Sequence, residues 1–427
     1  MVPNPPEEPP VIVVGAGPVG MTATAMLARA RVPVVLIESE PVPKTDWRAS
    51  TFHAATLELL ERVGVTGQMV AEGLPVPRYQ FRDRRDGLVA EFDLTLLKDE
   101  TRYPYRLQLN QQHLVRMLHE RLRDDDSVRM MFGSRVTGVA GTPRGASVTV
   151  ESPGGPLTVH GSHVIGADGA SSVVRQSLGV AFDGYTHAER FLIASTTADL
   201  AGLLPGIADV NYVADPLEWL FLLRTPESWR AVWPVPAGVP AERATAPETL
   251  QAQLQGLAPC PGGYPIVDAQ LYNVHQRVAA SFRTGRVLLI GDAAHINSPL
   301  GGVGLNSGIH DAIDLTTRLV RVRAGEAAED PELDTFAEIR RRVAVEYVQA
   351  DTRRNTERLN ETDEERRAAN RAEMRATAAD PERARAWLRR ASLLESVRRF
   401  GIGTPPEEYA RRTGGSSDPR REDPVAG

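Results

Sequence analysis

The residues whose types and spacing carry chemistry begin with three glycines and an acid: Gly15, Gly17 and Gly20 in GAGPVG, and Glu38 further on. Glycines at this spacing give a tight reversal, a place where backbone can touch a pyrophosphate, and close packing of a helix on a sheet. Pro18 and Val19 complete the turn, and the amides and dipole of the following helix then face the phosphates without any lysine. Glu38, with Ser39 after it, stands where a carboxylate accepts hydrogen bonds from the hydroxyls of an adenosine ribose and repels a 2′-phosphate. The pattern predicts FAD or NAD, not NADP, as the resident dinucleotide.

Two later blocks join a strand to a helix through a glycine and an acid. In VIGADGASSVVRQSLG an apolar run ending at Ile165 opens through Gly166, Asp168 and Gly169 into a helix bearing Arg175, which Asp168 is placed to cap. In RVLLIGDAAHINSPLGGVGLNSGIHDAIDLTTRL the run Val287 to Ile290 ends in Gly291-Asp292, and a glycine-rich turn, Pro299 to Gly304, precedes another helix. Asp292 suits the hydroxyls of a polyol. Gly301, Gly302, Val303, Gly304, Leu305 and Asn306 open the helix and aim unpaired N–H groups at whatever lies above, for which the N1–C2=O edge of an isoalloxazine is a fitting object. Only one GxGxxG follows a strand directly, so the chain has one dinucleotide fingerprint, and that cradle with Glu38 plus the distant Asp292 turn suits a single long dinucleotide, noncovalent FAD.

The elements that must position these residues follow from periodicity. Val11 to Val14 is β-branched throughout, as a central parallel strand requires, an alanine-rich helix runs from Met21 to Arg31, and Val34 to Ile37 is the next strand. Arg48 lies in a proline-punctuated loop and Gln111 at a strand-to-helix junction, where each can meet a cofactor or serve as an ordinary surface or helix-start residue. His53 reads as a partly buried loop residue. Phe81 to Leu97 alternates around the turn RRDG and predicts antiparallel strands; Trp219 to Arg224 and Trp229 to Val235 predict a hairpin. Tyr212, Trp219, Phe221, Arg224, Trp229 and Trp233 either line an aromatic pocket or form sheet core and surface. After Pro331 the chain is charged and helical, and EERRAANRAEMRATAAD reads as a solvated face laced with i, i+4 ion pairs, while ARAWLRRASLLESVRRF has a face to pack on the body or on a second subunit.

Composition sets the limits. The 427 residues exceed one ordinary domain, and 42% hydrophobic content is globular. A net charge of −6 lacks the positive field that nucleic acid or a membrane surface demands. The lone Cys260 rules out an intramolecular disulfide, a thiol relay and a cysteine-based zinc site, and no metal-binding or Ser-His-Asp signature appears. A proline-rich acidic start and no membrane-length apolar run predict a cytoplasmic protein. No side chain is assigned a catalytic role, so the hard chemistry falls to the cofactor.

In its order of motifs, GAGPVG with Glu38, then GADGASSVVR, then GDAAHINSPLGGVGLNSGIHDA, the chain resembles the single-component, class A FAD-dependent aromatic hydroxylases, the para-hydroxybenzoate hydroxylase-like flavoprotein monooxygenases, over roughly residues 11–342. The resemblance implies an α/β fold: a glutathione-reductase-type, Rossmann-like FAD domain over 11–80, 105–180 and 275–331, interleaved with a mixed β-sheet substrate domain over 81–104 and 181–274. A helical region over 332–412 follows, with a flexible start over 1–10 and a disordered tail over 413–427. It implies that Gly15 to Gly20 and Glu38 hold the ADP half, Asp168-Gly169 serves FAD and NAD(P)H, Asp292 holds the ribityl chain, Pro299 to Asn306 cradle the flavin ring, and Arg48 and Gln111 contact FAD. The expected reaction is hydroxylation of a phenolic or polycyclic aromatic compound by NAD(P)H and O₂ through a hydroperoxide at flavin C4a, with NAD(P)H a transient visitor and the protein a monomer or homodimer. Baeyer–Villiger insertion, epoxidation and a non-catalytic FAD-binding protein are the alternatives. Ala55 stands where the family has arginine, Asp314 gives DAIDL in place of DAxNL, and Thr316-Thr317 replace tryptophan-lysine.

Overall fold

The computed structural model describes residues 9–413 apart from 46 and 144. Residues 1–8 of the expected flexible start and 414–427 of the expected tail lie outside the described residues.

Six strands make the sheet that carries the glycine turns, in the order Arg283–Thr284, Val287–Leu289, His163–Gly166, Val11–Val14, Val34–Ile37 and Val128–Met131. All neighbours are parallel except the first pair. Val11–Val14 lies in the interior of this sheet with every residue buried, which is why its sequence is an unbroken apolar run and does not alternate. Val14 pairs with Gly166, and Gly166 with Leu289, so the three strands end side by side and their turns leave from one edge. In open parallel sheets that edge is where ligands bind.

The helix Pro18–Arg29 packs between the helices Gly304–Arg323 and Gln111–Leu122. A three-stranded antiparallel sheet, Arg135–Thr142, Gly145–Ser152 and Gly155–Gly161, lies against Val11–Val14 and His163–Gly166.

The second large sheet has eight strands, in the order His295–Ile296, Ile266–Ala279, Phe182–Thr196, Trp229–Val235, Leu220–Arg224, Val210–Ala214, Arg78–Asp83 and Gly87–Asp93, antiparallel except for the pair Val210–Ala214 with Arg78–Asp83. The expected hairpin forms, with Phe221 opposite Val232. The expected domain limits at 80 and 274 fall inside Arg78–Asp83 and Ile266–Ala279, because both strands pair along their length with this sheet, and sequence alternation marks a strand but not its partner. A short sheet of Thr51–Phe52, Arg106–Gln108 and Leu74–Val76 gives Phe52 and Leu107 to the first core and Val76 to the second.

From Glu329 the chain is helical to Thr413. The helix Glu364–Ala379 is more than a solvated face: Arg367 is buried and meets Asp83 at 2.8 Å, and Met374 is buried. The following helix, Pro381–Ala391, packs on the body through Leu388 and Trp387. This is the α/β arrangement expected, a parallel sheet interleaved with a mixed one and closed by C-terminal helices.

Candidate functional site

The turns at the edge of the parallel sheet line one cavity of about 590 Å³. Its floor is the first glycine turn. Gly15 has φ +100°, and a Cβ there would stand 2.5 Å from the Ala167 carbonyl oxygen. Gly20 is buried in the helix, where a Cβ would come 1.9 Å from the Gly15 oxygen, so only glycine lets helix and turn meet. Around Gly17 nothing lies within 4 Å of such a Cβ; its backbone, with Pro18 and Val19, faces the cavity. Glu38 lines the same wall, with Oε2 accepting from Ala16 N at 2.8 Å and Oε1 from Ser39 Oγ and Glu40 N, both at 3.0 Å. Two carboxylate oxygens have about four acceptor sites, so room remains for a ribose hydroxyl, while the Ser39 hydroxyl is spent on Glu38.

The second turn brings Asp168 and Gly169 to the cavity wall. The cap of the short helix Val173–Ser177 is Ser172; Asp168 reaches the Val174 amide at 3.1 Å through Oδ2, and its buried Oδ1 has no partner among the described residues. Burial pushes this carboxyl up, against the bonds from Ser172 and Val174. Arg175 ties this turn to the third, donating to Ala170 O at 2.8 Å and Ala293 O at 2.9 Å while lying 3.8 Å over the Phe182 ring.

In the third turn Gly291 packs on Val19 and gives its N–H to Asp311 at 3.0 Å. Asp311 also takes His295 Nε2 at 2.8 Å and Arg340 Nε at 2.6 Å. Burial alone would raise the Asp311 carboxyl, but Arg340 and His295 outweigh it and hold it below the usual range. Asp292, exposed on the cavity wall, is pushed up by the protein crowded around it and drawn down by His295 and Arg48. Arg48, Gln111 and Leu305 complete this end of the cavity. The helix Gly304–Arg323 begins here at Val303 with no side-chain cap.

The rest of the glycine-rich turn is turned away from this cavity. Asn306 is fully buried and committed as a staple: Oδ1 accepts from His53 N at 2.9 Å, and Nδ2 donates to Thr51 O at 2.8 Å and Gly302 O at 2.6 Å. Gly302 has φ +63° and its Cβ would meet Thr51 at 3.0 Å; its amide bonds Pro299 O at 2.9 Å. Gly301 and Val303 face a second, smaller cavity. His53, expected in part outside, is buried with Nε2 on Gly301 O at 2.9 Å. Burial and the charge of Arg106 pull its imidazole down to about 3, so it is neutral.

Above this turn stands one face of the mixed sheet. Tyr212, Trp219 and Phe221 lie on it with Tyr79, Phe81, Phe92 and Phe191 in a single cluster, Phe81 stacked on Tyr212 at 5.0 Å and Tyr212 on Phe221 at 4.7 Å. Strand alternation sends Trp229 and Trp233 to the opposite face, under the helix Pro247–Leu257, and leaves Arg224 exposed. Sequence reasoning missed Arg106, Tyr79 and Trp387 on the inner face. Arg106 opens the strand Arg106–Gln108, all three residues of which are buried although two are polar, and nothing in Arg-Leu-Gln announces that burial.

The departures also have structural partners. Asp314 joins a buried network with Arg318, which meets Glu332 at 2.9 Å, and it accepts the Gly403 amide. Gly403 packs on Thr317, so small residues there admit the C-terminal segment. Among the described residues no group of three or more potential metal ligands occurs, and no helix is long and apolar enough to cross a membrane.

The residues fit FAD: among the described residues, a buried Asp168 oxygen has no partner, the space over Gly17 is open, and a helix at the far end of the same cavity starts without a side-chain cap. A family model described as an FAD binding domain matches residues 8–351. Para-nitrophenol 4-monooxygenase of Pseudomonas sp. strain WBC-3 is 34% identical over 83% of this chain and 88% of its own length. Among solved structures, the p-nitrophenol 4-monooxygenase of Pseudomonas putida DLL-E4 superposes with a TM-score of 0.85 at 30% identity, over 91% of this chain and 98% of the other. The anhydrotetracycline hydroxylase of Streptomyces rimosus does so with 0.76 at 27%, over 91% and 76%. With three glycine-acid turns meeting along one cavity and relatives of this kind along most of its length, the chain belongs to the FAD-dependent aromatic hydroxylases, flavoprotein monooxygenases that carry FAD.

Proposed function

We propose that the protein hydroxylates a small phenolic ring at the expense of NAD(P)H and O₂: one oxygen atom enters the ring, the other leaves as water, and the nicotinamide supplies the two electrons. The observation that carries the reading is the single cavity from Glu38 to Leu305, with a face of buried aromatic residues across the glycine-rich turn. Bound there, FAD would supply the redox chemistry, acceptance of hydride from NAD(P)H and activation of O₂. Glu38 and the backbone of Gly15 to Gly20 would hold its ADP half, Asp168 and Asp292 would take hydroxyls or amide donors of its middle, and Arg48 and Gln111 would close over it. The uncapped start of the helix Gly304–Arg323, which reaches the cavity at Leu305, would stabilise the negative charge that the flavin ring gains on reduction. The aromatic face excludes water and orients the substrate. NAD(P)H visits without a fold of its own, since one GxGxxG turn occurs and Glu38 stands at the end of the next strand.

The test is to purify the protein, which is expected yellow with releasable FAD, and to follow NAD(P)H oxidation with a panel of phenols under ¹⁸O₂. A phenol that stimulates oxidation and gains one labelled oxygen supports the reading. A protein that binds FAD, shows no stimulation by any phenol and yields no labelled product refutes it in favour of an FAD-holding binding protein.

A further inference from the structure

From the short sheet, against the inner face of the mixed one, stands a charge that none of the roles above uses. Arg106 is 4% exposed. Its guanidinium donates to Tyr212 Oη at 3.1 Å and lies 3.8 Å over the Tyr79 ring, with His53 beside it. Neither Tyr79 nor His53 offers a negative charge: burial pushes the Tyr79 phenol up to about 12 and the His53 imidazole down to about 3. No ion pair with an acid joins Arg106 among the described residues, whereas Arg318 and Arg340, buried as deeply, bind Asp314 with Glu332 and Asp311 respectively. A buried cation without a counter-charge is expensive to keep, so its presence asks for an anion that is not part of the chain.

Arg106 lines a cavity of about 40 Å³ whose wall includes Gly301 and Val303 of the glycine-rich turn and the rings of Tyr79, Phe81, Tyr212 and Trp387. The acid on this wall, Asp351, is committed elsewhere, to Arg390 at 2.8 Å and Arg354 at 3.6 Å. The space admits a compact polar group such as a phenolate or carboxylate oxygen.

We propose that Arg106 is a specificity-determining residue of the substrate site, its guanidinium taking the phenolate or carboxylate oxygen of the aromatic substrate, so that the protein selects anionic arenes over neutral ones. The proposal rests on the hydroxylase reading above. A charge-assisted bond in a dry, aromatic-walled pocket discriminates strongly, because a neutral ligand leaves the cation unpaired.

The experiment measures equilibrium binding to the FAD-loaded protein of 4-nitrophenol at a pH where it is ionised, of its methyl ether 4-nitroanisole, of 4-nitrobenzoate and of its methyl ester. The expected result is that at least one anion binds about tenfold or more tightly than its neutral ester or ether, that Arg106→Met removes this preference at unchanged FAD content, and that Arg106→Lys keeps part of it. A preference for phenolate alone or carboxylate alone identifies the oxyanion and upholds the proposal. Equal wild-type binding of anion and neutral partner overturns it without any variant, as does an anion preference that survives in Arg106→Met. Anion preference without stimulated NAD(P)H oxidation would keep the subsite and sink the hydroxylase reading; hydroxylation of phenols without anion preference would do the reverse.

Discussion

The two sheets do their work with different parts of the chain. At the edge of the parallel sheet the cavity is built largely from backbone: glycines at 15, 17 and 20, amides at the start of Gly304–Arg323, and acids such as Glu38 held by amide bonds. On the mixed sheet the face toward the glycine-rich turn is built from side chains, among them Tyr79, Phe81, Tyr212 and Phe221, and it is closed by Trp387 from a helix more than three hundred residues along the chain from Tyr79. A backbone site tolerates almost no added atom at its contact points, whereas a side-chain site can be retuned one ring at a time. That difference suits a shared cofactor on one side and a substrate that varies between relatives on the other.

The comparison is broken most sharply within the first turn. Gly20→Val puts branched carbon where a Cβ already stands 1.9 Å from the Gly15 oxygen, and the expected outcome is loss of folded protein, a cost of about 4 kcal/mol or more. Gly17→Ala meets nothing within 4 Å, so thermal unfolding of the FAD-free protein should be unchanged while FAD affinity falls. Equal effects of the two on the FAD-free protein would show that Gly17 too is a packing residue.

Acid is the next largest lever, and it acts on both sides of the interface between the sheets. His53 and His310 are each pulled down to about 3, in both cases by burial first and then by an arginine, Arg106 and Arg340. Below the ordinary histidine value of 6.5 the unfolded chain takes up protons that the folded protein refuses. Stability therefore falls with pH between 6.5 and about 3, by about 1.4 kcal/mol per pH unit for each histidine. Urea midpoints at stepped pH should show this slope, reduced in His310→Gln; a flat profile over that window would mean that the histidines are charged in the folded protein.

What the sequence revealed divides along the same line. The parallel strands, the three turns and the family were legible because each signal is local: an unbroken apolar run, glycine spacing, an acid at a strand end. The inner face was not, because alternation tells which residues share a face and not which of two faces is covered by what. Tyr212 and Phe221 could not be separated from Trp229 and Trp233 until the pairing register placed a helix over the latter. The helix Glu364–Ala379 read as solvent-facing because Arg367 is charged, and its buried partner Asp83 is 284 residues away. Asn306 belonged to the right turn, but its side chain is a staple, a distinction that needs Thr51 and His53 in place.

On the cofactor side, Glu38→Lys should weaken FAD by about 1.5–3 kcal/mol, since it removes ribose acceptors and also frees the Ala16 amide that the carboxylate holds at 2.8 Å. Fluorescence titration of the FAD-free variant measures it. Unchanged affinity would remove Glu38 from the site.

The smallest effect is expected where the two halves are furthest apart in function. Trp387 Nε1 donates to Tyr79 Oη at 2.7 Å, and its ring stacks on Phe92 with centroids 5.4 Å apart. Trp387→Phe keeps an aromatic ring against Phe92 and loses the hydrogen bond, leaving the buried Tyr79 hydroxyl without its donor, for about 1 kcal/mol. The helix Pro381–Ala391 has other anchors, including Leu388 in the core and Arg389 on Glu100 at 2.8 Å, so it should stay docked. The Glu38 cavity does not include Trp387, whereas the small cavity beside Gly301 and Val303 does. FAD affinity should accordingly match the wild type while the melting temperature drops slightly and binding of aromatic ligands changes. If FAD affinity fell along with ligand binding, the turn at Gly301 would be transmitting strain from one half to the other, and the cofactor and substrate sites would have to be treated as one coupled unit.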